Sequence, residues 1–242
     1  MAIRAITLLV ISFLFAGCTL FSTTAEPEEA EEYEIIYPEP DPDISQTLDT
    51  YRDTLNRKMG VRIATVTDTL RFDQPEGALG NLAADALRYR AAGELRKHIH
   101  TGIIGADSFK LFFTPGILTL GEVYEFMPYD NHLVVLTLDG RMMRNLINEV
   151  AKIGGAPVSG VRFTINGDSA SGILVNSEVI EDDRLYYVAT SSYLANGGDQ
   201  FSALWNPVER QDLNNISIRD LYVNHFRNIR VLNPVIDGRI RK

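Results

Sequence analysis

The chain has 242 residues and a formal net charge of −9, with 45% hydrophobic and 23% charged residues, a composition typical of globular proteins. The charge is uneven: residues 19–43 hold nine carboxylates and no Lys or Arg, so the remainder is about neutral. An acidic segment on a neutral body argues against non-specific nucleic-acid binding, which needs clustered positive charge. The single cysteine, Cys18, excludes an intrachain disulfide and a multi-cysteine metal site.

The first eighteen residues indicate an export signal. An apolar run from Ala5 to Ala16 follows Arg4; it is too short to span a bilayer but matches the apolar part of a secretory signal. Residues 15–18 (FAGC) resemble a bacterial lipobox, which predicts removal of residues 1–17 and acylation of Cys18, with an ordinary signal peptide as the alternative. We expect a lipid anchor in the bacterial cell envelope. Because Thr rather than Asp follows Cys18, the outer membrane, facing the periplasm, is favoured.

Residues 18–46 are predicted to form an acidic tether rich in Pro and Glu. Four prolines stand among the carboxylates, and self-repelling charge together with proline favours an extended chain. Residues 47–242 then form the folded body.

The body alternates strand and helix patterns. Strands are expected at residues 61–66, 103–104, 133–138, 161–165, 172–175 and 185–190. Helices are expected to begin at Gly80, after Asp139 and at Ser217, the last with a start that resembles a capping box. The mixture predicts an α/β domain, and two helix-flanked sheets are the expected arrangement.

Catalytic motifs are scarce in this sequence. The four histidines form no HExxH motif, and no GxSxG sequence or P-loop occurs. Nothing therefore indicates a metal centre, and we expect no cofactor in this chain.

Four segments in order resemble one family, the C-terminal domain of the 5'-nucleotidases. They are residues 80–88 (GNLAADALR), 118–131 (LTLGEVYEFMPYDN), 158–163 (VSGVRF) and 187–201 (YVATSSYLANGGDQF). The resemblance implies a four-layer α/β/β/α domain. It also implies that two divalent metals and the catalytic residues belong to a separate N-terminal metallophosphoesterase domain, for which the sequence before residue 47 has no room.

The resemblance also implies a nucleoside site. Tyr129 and Tyr193 match two aromatic residues that sandwich the base, and Asp199 matches an acid that accepts hydrogen bonds from ribose hydroxyls. Asn131 matches a polar contact to the base, and Gly160 marks a main-chain approach to the ligand. The alternative is that both tyrosines are core residues and that residues 196–199 form only a turn.

The phosphate-binding part of the motif is degenerate. Gly105 stands where the family has Asn, and Lys110 stands where it has Arg, so a bidentate fork is lost. Asp107 adds a negative charge beside them. A second expected Arg aligns with Asp73, and Arg71 lies two residues away.

Three functions remain open from the sequence. The favoured one is a membrane-tethered domain that binds a nucleoside or nucleotide without its own metal centre. The second is a specificity subunit that works in nucleotide catabolism with a separate metallophosphoesterase chain. The third is a structural envelope lipoprotein that retains only the fold. The chain alone is expected not to be catalytic.

Overall fold

The computed structural model describes residues 42–110 and 112–242. The predicted signal, Cys18 and most of the predicted tether lie outside these ranges. Residues Thr47–Lys242 form one compact unit. No helix in residues 42–110 and 112–242 has both the length and the apolar character needed to span a membrane.

The described helices and strands follow one another in mixed order. The helices are α1 (Pro42–Met59), α2 (Ala78–Leu95), α3 (Leu120–Phe126), α4 (Gly140–Lys152), α5 (Ser192–Ala195) and α6 (Ile218–Ile229). The strands are β1 (Arg62–Val66), β2 (Thr101–Ile103), β3 (Gly116–Thr119), β4 (His132–Asp139), β5 (Val158–Ser159), β6 (Val161–Asn166), β7 (Ser169–Val175), β8 (Glu178–Val179), β9 (Leu185–Ser191), β10 (Glu209–Ser217), β11 (Val231–Leu232) and β12 (Ile240–Arg241). The predicted mixed α/β class is confirmed.

The described strands form three sheets, one more than the two helix-flanked sheets expected. The central sheet has the order β10-β4-β9-β2-β5, and two smaller sheets have the orders β11-β1-β3 and β12-β6-β7-β8. Strand β1 pairs in parallel with β11, Thr65 opposite Val231. A pairing of such distant segments leaves no signal in local periodicity, which explains the missed sheet.

Strand β4 separates two hydrophobic cores. Leu133 and Val135 point into the core that contains α2 and α6, whereas Val134, Leu136 and Leu138 point into the core that contains α4. A strand buried on both faces must be apolar throughout. This burial accounts for the nearly continuous apolar run in the sequence.

Local capping sets where the helices begin. Helix α4 begins after Asp139, whose side chain accepts a hydrogen bond from the Met142 N–H at 2.8 Å. Helix α3 begins after Thr119, which forms a capping box with Glu122. Helix α2 begins at Ala78 rather than Gly80. At the C-terminus of α6, Phe226 is buried and Ile229 is exposed.

Helix α1 corrects the predicted tether. It begins at Pro42, so residues 42–46 are helical rather than extended. Proline fits the first turn of a helix because its φ is already helical and that turn needs no N–H donor. Asp43 in the first turn and Arg57 and Lys58 in the last turn complement the helix dipole.

Two of the recognised sequence motifs meet in a polar network. Asp85 of α2 accepts hydrogen bonds from the Ser159 hydroxyl and from Arg239, whose Nη1 lies 3.0 Å from Oδ1. The Arg88 Nε donates to Ser159 Oγ at 2.7 Å, and Arg239 also donates to the Val158 carbonyl at 2.8 Å. The network ties α2 to β5 and to the C-terminal segment.

His100 is buried in a neutral state. Its Nδ1 accepts a hydrogen bond from the Tyr187 N–H at 3.0 Å. Burial, reinforced by His98 and Arg184 and opposed by Glu178, lowers the pKa of His100 from 6.5 to about 4. Because the folded pKa lies below the unfolded one, this contribution to stability is complete above about pH 6.5 and is lost as the pH falls toward 4.

Replacing this histidine should therefore make the free energy of unfolding depend less on pH under acidic conditions. We expect His100→Gln, whose amide oxygen can accept the Tyr187 hydrogen bond, to lose less unfolding free energy than the wild type between about pH 6.5 and 4.5. Urea unfolding at a series of pH values measures the difference. Parallel curves for the two proteins would contradict the assignment.

Candidate nucleoside site

The strand register brings the two candidate tyrosines to one edge of the central sheet. Strands β4 and β9 are antiparallel neighbours, and Leu133 at the start of β4 lies opposite Ser191 at the end of β9. Tyr129 precedes β4 by a few residues, and Tyr193 follows β9 directly in α5. Antiparallel pairing thus places residues 64 apart in sequence next to each other.

Arg219 of α6 fixes the backbone that carries Tyr129. Its Nε donates to the Met127 carbonyl at 2.8 Å, and its Nη2 donates to the carbonyls of Pro128 and Tyr129 at 2.7 and 3.2 Å. The guanidinium also lies 4.9 Å from the centre of the Tyr124 ring. One side chain therefore satisfies three consecutive carbonyls in a segment without regular structure.

Ser191 and Ser192 hold the segment that carries Tyr193. Ser191 caps α5 by accepting a hydrogen bond from the Leu194 N–H at 3.2 Å. The Ser192 hydroxyl accepts from the His132 N–H at 3.2 Å and donates to Asn131 Oδ1 at 3.3 Å. Ser192 therefore joins the two segments that present the rings.

Tyr129 and Tyr193 line the same cavity, which has a volume of about 510 Å³. Its other lining residues are Asp107, Ser108, Lys110, Asp130 and Asn131. The tyrosine side chains are only partly covered, at 42% and 45% exposure, so neither ring is a core residue. The volume lies within the range of small-molecule sites.

Phe109 anchors the loop that contributes Asp107, Ser108 and Lys110 to the cavity. Its ring stacks at 4.3 Å on Phe72 and at 4.7 Å on Phe126, and the Lys110 N–H donates to the Phe126 carbonyl at 3.2 Å. The hydroxyl of Ser108, just before this anchor, is buried and has no hydrogen-bond partner within the described part of the chain.

Lys110 lies against Tyr129. Its Nζ is 5.4 Å from the centre of the ring and donates to the Asp107 carbonyl at 3.2 Å. Hydrogen bonding to the Tyr129 hydroxyl, with a smaller contribution from Asp107, raises the pKa of Lys110. The ammonium is therefore engaged locally, on the ring that would stack a base.

Asp199 lies next to this cavity rather than in it. A neighbouring cavity of about 910 Å³ shares Asp107 and Tyr193 with the first and is also lined by Gly105 and Asp199. The Tyr193 hydroxyl donates to Asp199 Oδ1 at 3.0 Å. This hydrogen bond is the main cause of the raised pKa of Tyr193.

Two predicted residues lie elsewhere. Gly160 lines a separate cavity of about 270 Å³ with Asp85, Arg88 and Arg239. It adopts φ +76° and packs so closely on the His100 carbonyl that a Cβ would collide with it. Arg71 stacks over Phe112 at 4.5 Å and is not among the residues lining either tyrosine cavity.

The site has a surplus of negative charge. Asp107 and Asp130 line the tyrosine cavity and Asp199 lines its neighbour, against Lys110 in the first and Lys152 in the second. In residues 42–110 and 112–242, no three His, Cys, Asp or Glu side chains are grouped so as to hold a metal ion. The described donor set thus does not fit the two-metal centre that the resemblance assigns to a separate domain.

Sequence reasoning missed several residues that build the site. Three of them, Arg219, Ser192 and Phe109, act through contacts with residues that are distant in sequence. No local sequence motif predicts such contacts. The sequence TLGE, residues 119–122, is the exception, because it carries the capping-box signature of α3.

Comparison with known proteins identifies the class. Residues 60–205 match the family described as "5'-nucleotidase, C-terminal domain", and the chain belongs to this family. The match covers every residue that lines the tyrosine cavity. The predicted family is therefore confirmed.

Individual relatives agree with the fold. The chain is 26% identical over 226 residues to the trifunctional nucleotide phosphoesterase protein YfkN of Bacillus subtilis, covering 84% of this chain and 15% of that protein. A 5'-nucleotidase precursor from Thermus thermophilus superposes with a TM-score of 0.70 at 24% identity, covering 81% of this chain and 42% of that one. The NAD nucleotidase NadN of Haemophilus influenzae gives a TM-score of 0.63 at 15% identity, covering 84% and 42%.

The chain shares only one part of each of these relatives. The chain spans less than half the length of each of these relatives, and the structural similarity shows the fold. The expected four-layer α/β/β/α domain of the 5'-nucleotidase C-terminal type is confirmed.

Proposed function

We propose that this chain binds nucleosides in the tyrosine cavity and contributes no metal-dependent chemistry of its own. The observation that carries the proposal is the pair of partly exposed rings, Tyr129 and Tyr193, on one cavity of about 510 Å³. A base stacked on an aromatic side chain gains about 1–3 kcal/mol.

The surrounding polar groups support a nucleoside rather than a simple aromatic ligand. Asn131 contributes a side-chain amide to the cavity wall. Asp199, which is hydrogen-bonded to the Tyr193 hydroxyl, contributes a carboxylate that can accept hydrogen bonds from ribose hydroxyls. The names of the relatives refer to nucleotide phosphoesterase and nucleotidase activities, which agrees with a nucleoside-containing ligand.

Removing the ring of Tyr129 should weaken binding. We expect Tyr129→Ala to raise the dissociation constant for adenosine about 5- to 150-fold, because one stacking surface worth about 1–3 kcal/mol is lost. Isothermal calorimetry of the purified chain measures the effect. Tyr51→Ala, on an exposed face of α1, is the matched control. Equal affinities for the two variants would contradict the proposal.

The negative charge of the site leads to a second prediction, on the relative affinities of adenosine and AMP. We expect adenosine to bind at least as tightly as AMP, because Asp107 and Asp199 repel a phosphate and Lys110 already contacts Tyr129. Competition of AMP against adenosine in the same calorimeter compares the two. AMP binding about tenfold tighter, a difference of about 1.4 kcal/mol, would show a working phosphate clamp and favour a specificity subunit beside a separate metallophosphoesterase.

We also propose that the domain is anchored to the bacterial envelope through acylated Cys18, at the outer membrane and facing the periplasm. The lipobox-like sequence at residues 15–18 and the apolar run before it support this localisation. Acyl chains gain about 0.8 kcal/mol per buried CH₂.

Changing the cysteine tests the anchor. We expect Cys18→Ser to move the protein from the membrane fraction to the soluble fraction of cells, because no acyl chain can be attached. Fractionation with immunoblotting measures the distribution, and Ser22→Ala, four residues later, serves as the control. A Cys18→Ser protein that stays in the membrane fraction would overturn the lipobox interpretation.

A further inference from the structure

Helix α1 presents a stripe of exposed apolar side chains. Four large apolar residues on it are exposed at 54–72%, namely Ile44, Leu48, Tyr51 and Leu55. Their spacing of four, three and four residues places them on one face of the helix. Helices in proteins are stabilised mainly by packing of such an apolar face, so the stripe is a candidate docking surface.

The spacing of the stripe reads the same in both directions along the helix. Alternating steps of four and three residues are typical of the seam between two packed helices. A second copy of α1, laid antiparallel about a twofold axis between residues 49 and 50, sets Ile44 opposite Leu55. The same axis sets Leu48 opposite Tyr51. Each apolar residue of the stripe therefore meets an apolar residue of the copy.

The charges beside the stripe also suit an antiparallel copy. Asp49 and Arg52 form an exposed ion pair of 2.7 Å within the helix. The twofold axis brings Arg52 within about 3 Å, measured along the helix, of the level of Asp49 in the second copy. At the ends, the acidic first turn of one helix lies beside the basic last turn of the other, which contains Arg57 and Lys58. The two helix dipoles then oppose each other favourably.

The attachment of the body favours the same orientation. The rest of the chain follows α1 directly after Met59, and a compact unit of this size has a radius of gyration of about 16 Å. The axes of two packed helices lie only about 8–10 Å apart. A parallel pair would crowd two bodies at one end, whereas an antiparallel pair sets their attachment points about 27 Å apart.

The charge of α1 disfavours a membrane surface as the occupant. Helices that lie on membranes carry a polar face rich in Lys and Arg, whereas α1 has three acidic and three basic residues. Residues 19–43, which lead into it, hold nine carboxylates and no Lys or Arg, and anionic lipids repel such a segment.

We propose that α1 is a dimerisation helix, and that the stripe is covered by the stripe of a second copy of this chain in antiparallel orientation. Contacts of one short helix per chain belong to the class of interfaces below about 1,200 Å². A reversible dimer with a dissociation constant of about 10–500 µM is therefore expected. The inference is independent of nucleoside binding, because no residue of the stripe lines the tyrosine cavity.

Sedimentation equilibrium tests the dimer. The chain is purified as Cys18→Ser, so that no acyl group contributes, and is measured from about 1 to 500 µM, a range that spans the expected dissociation constant. Leu48→Glu should weaken self-association at least about tenfold, because each copy places a carboxylate in an apolar seam. Val235→Glu changes an equally exposed apolar residue in a loop and should associate as Cys18→Ser does.

Disulfide cross-linking tests the orientation. In the Cys18→Ser chain, Ile44→Cys and Leu55→Cys each introduce one cysteine. Mild oxidation of the two variants mixed should give cross-linked dimers, because positions 44 and 55 face each other. Ile44→Cys alone should give few, since two copies of position 44 lie about 16 Å apart along an antiparallel pair and a disulfide needs Cα atoms within about 7 Å.

Three results would overturn the proposal. The first is a Cys18→Ser chain that stays monomeric up to about 500 µM, a concentration at which the expected dimer is well populated. The second is cross-linking of Ile44→Cys alone as strong as that of the mixture, which indicates a parallel pair. The third is binding of the Cys18→Ser chain to phosphatidylglycerol vesicles that Leu48→Glu abolishes, which assigns the stripe to a membrane surface. Adenosine calorimetry on Leu48→Glu tests the proposed function separately, and its result should equal that of Cys18→Ser.

Discussion

The candidate site depends on the aromatic cluster formed by Phe72, Phe109 and Phe126. Stacked aromatic pairs contribute about 0.5–1.5 kcal/mol each beyond the burial of their area, and the ring centres lie 4.3 and 4.7 Å apart. Phe126 ends α3, immediately before the segment that presents Tyr129, and Phe109 ends the short turn that presents Asp107 and Ser108. The same aromatic cluster therefore fixes two walls of the cavity at once.

The remaining wall depends on the central sheet. Pairing of Leu133 with Ser191 sets where β9 ends and α5 begins. A slip of one residue would turn the β9 side chains to the opposite face and would displace α5, which carries Tyr193. Such a slip is costly because β4 and β9 are buried in both cores. The register of the sheet thus fixes the geometry of a site that lies at its edge.

Sequence reasoning reached the mixed α/β class, the body's strands and the family because these depend on periodicity and on local motifs. It placed Tyr129 and Tyr193 together through the resemblance alone. The clamp of Arg219 on residues 127–129 could not be predicted, since it joins segments about ninety residues apart. Local sequence does not settle the structure at Pro42, because proline suits both an extended acidic segment and the first turn of a helix.

Gly105, where the sequence departs from the family pattern, has a structural consequence for the position of Asp199. The resemblance places Gly105 where the family has an Asn in its phosphate loop. In the structure, the missing side chain leaves the space that the Asp199 carboxylate fills. Under the proposed function, the missing polar group and the position of the acid would both disfavour a phosphate and favour a neutral riboside.

The structure of the protein with adenosine bound tests the central claim most directly. The account predicts the base between Tyr129 and Tyr193, with ribose hydroxyls on Asp199. Adenosine seated elsewhere, for example in the cavity of Asp85 and Arg88, with the two tyrosines uncovered, would contradict it.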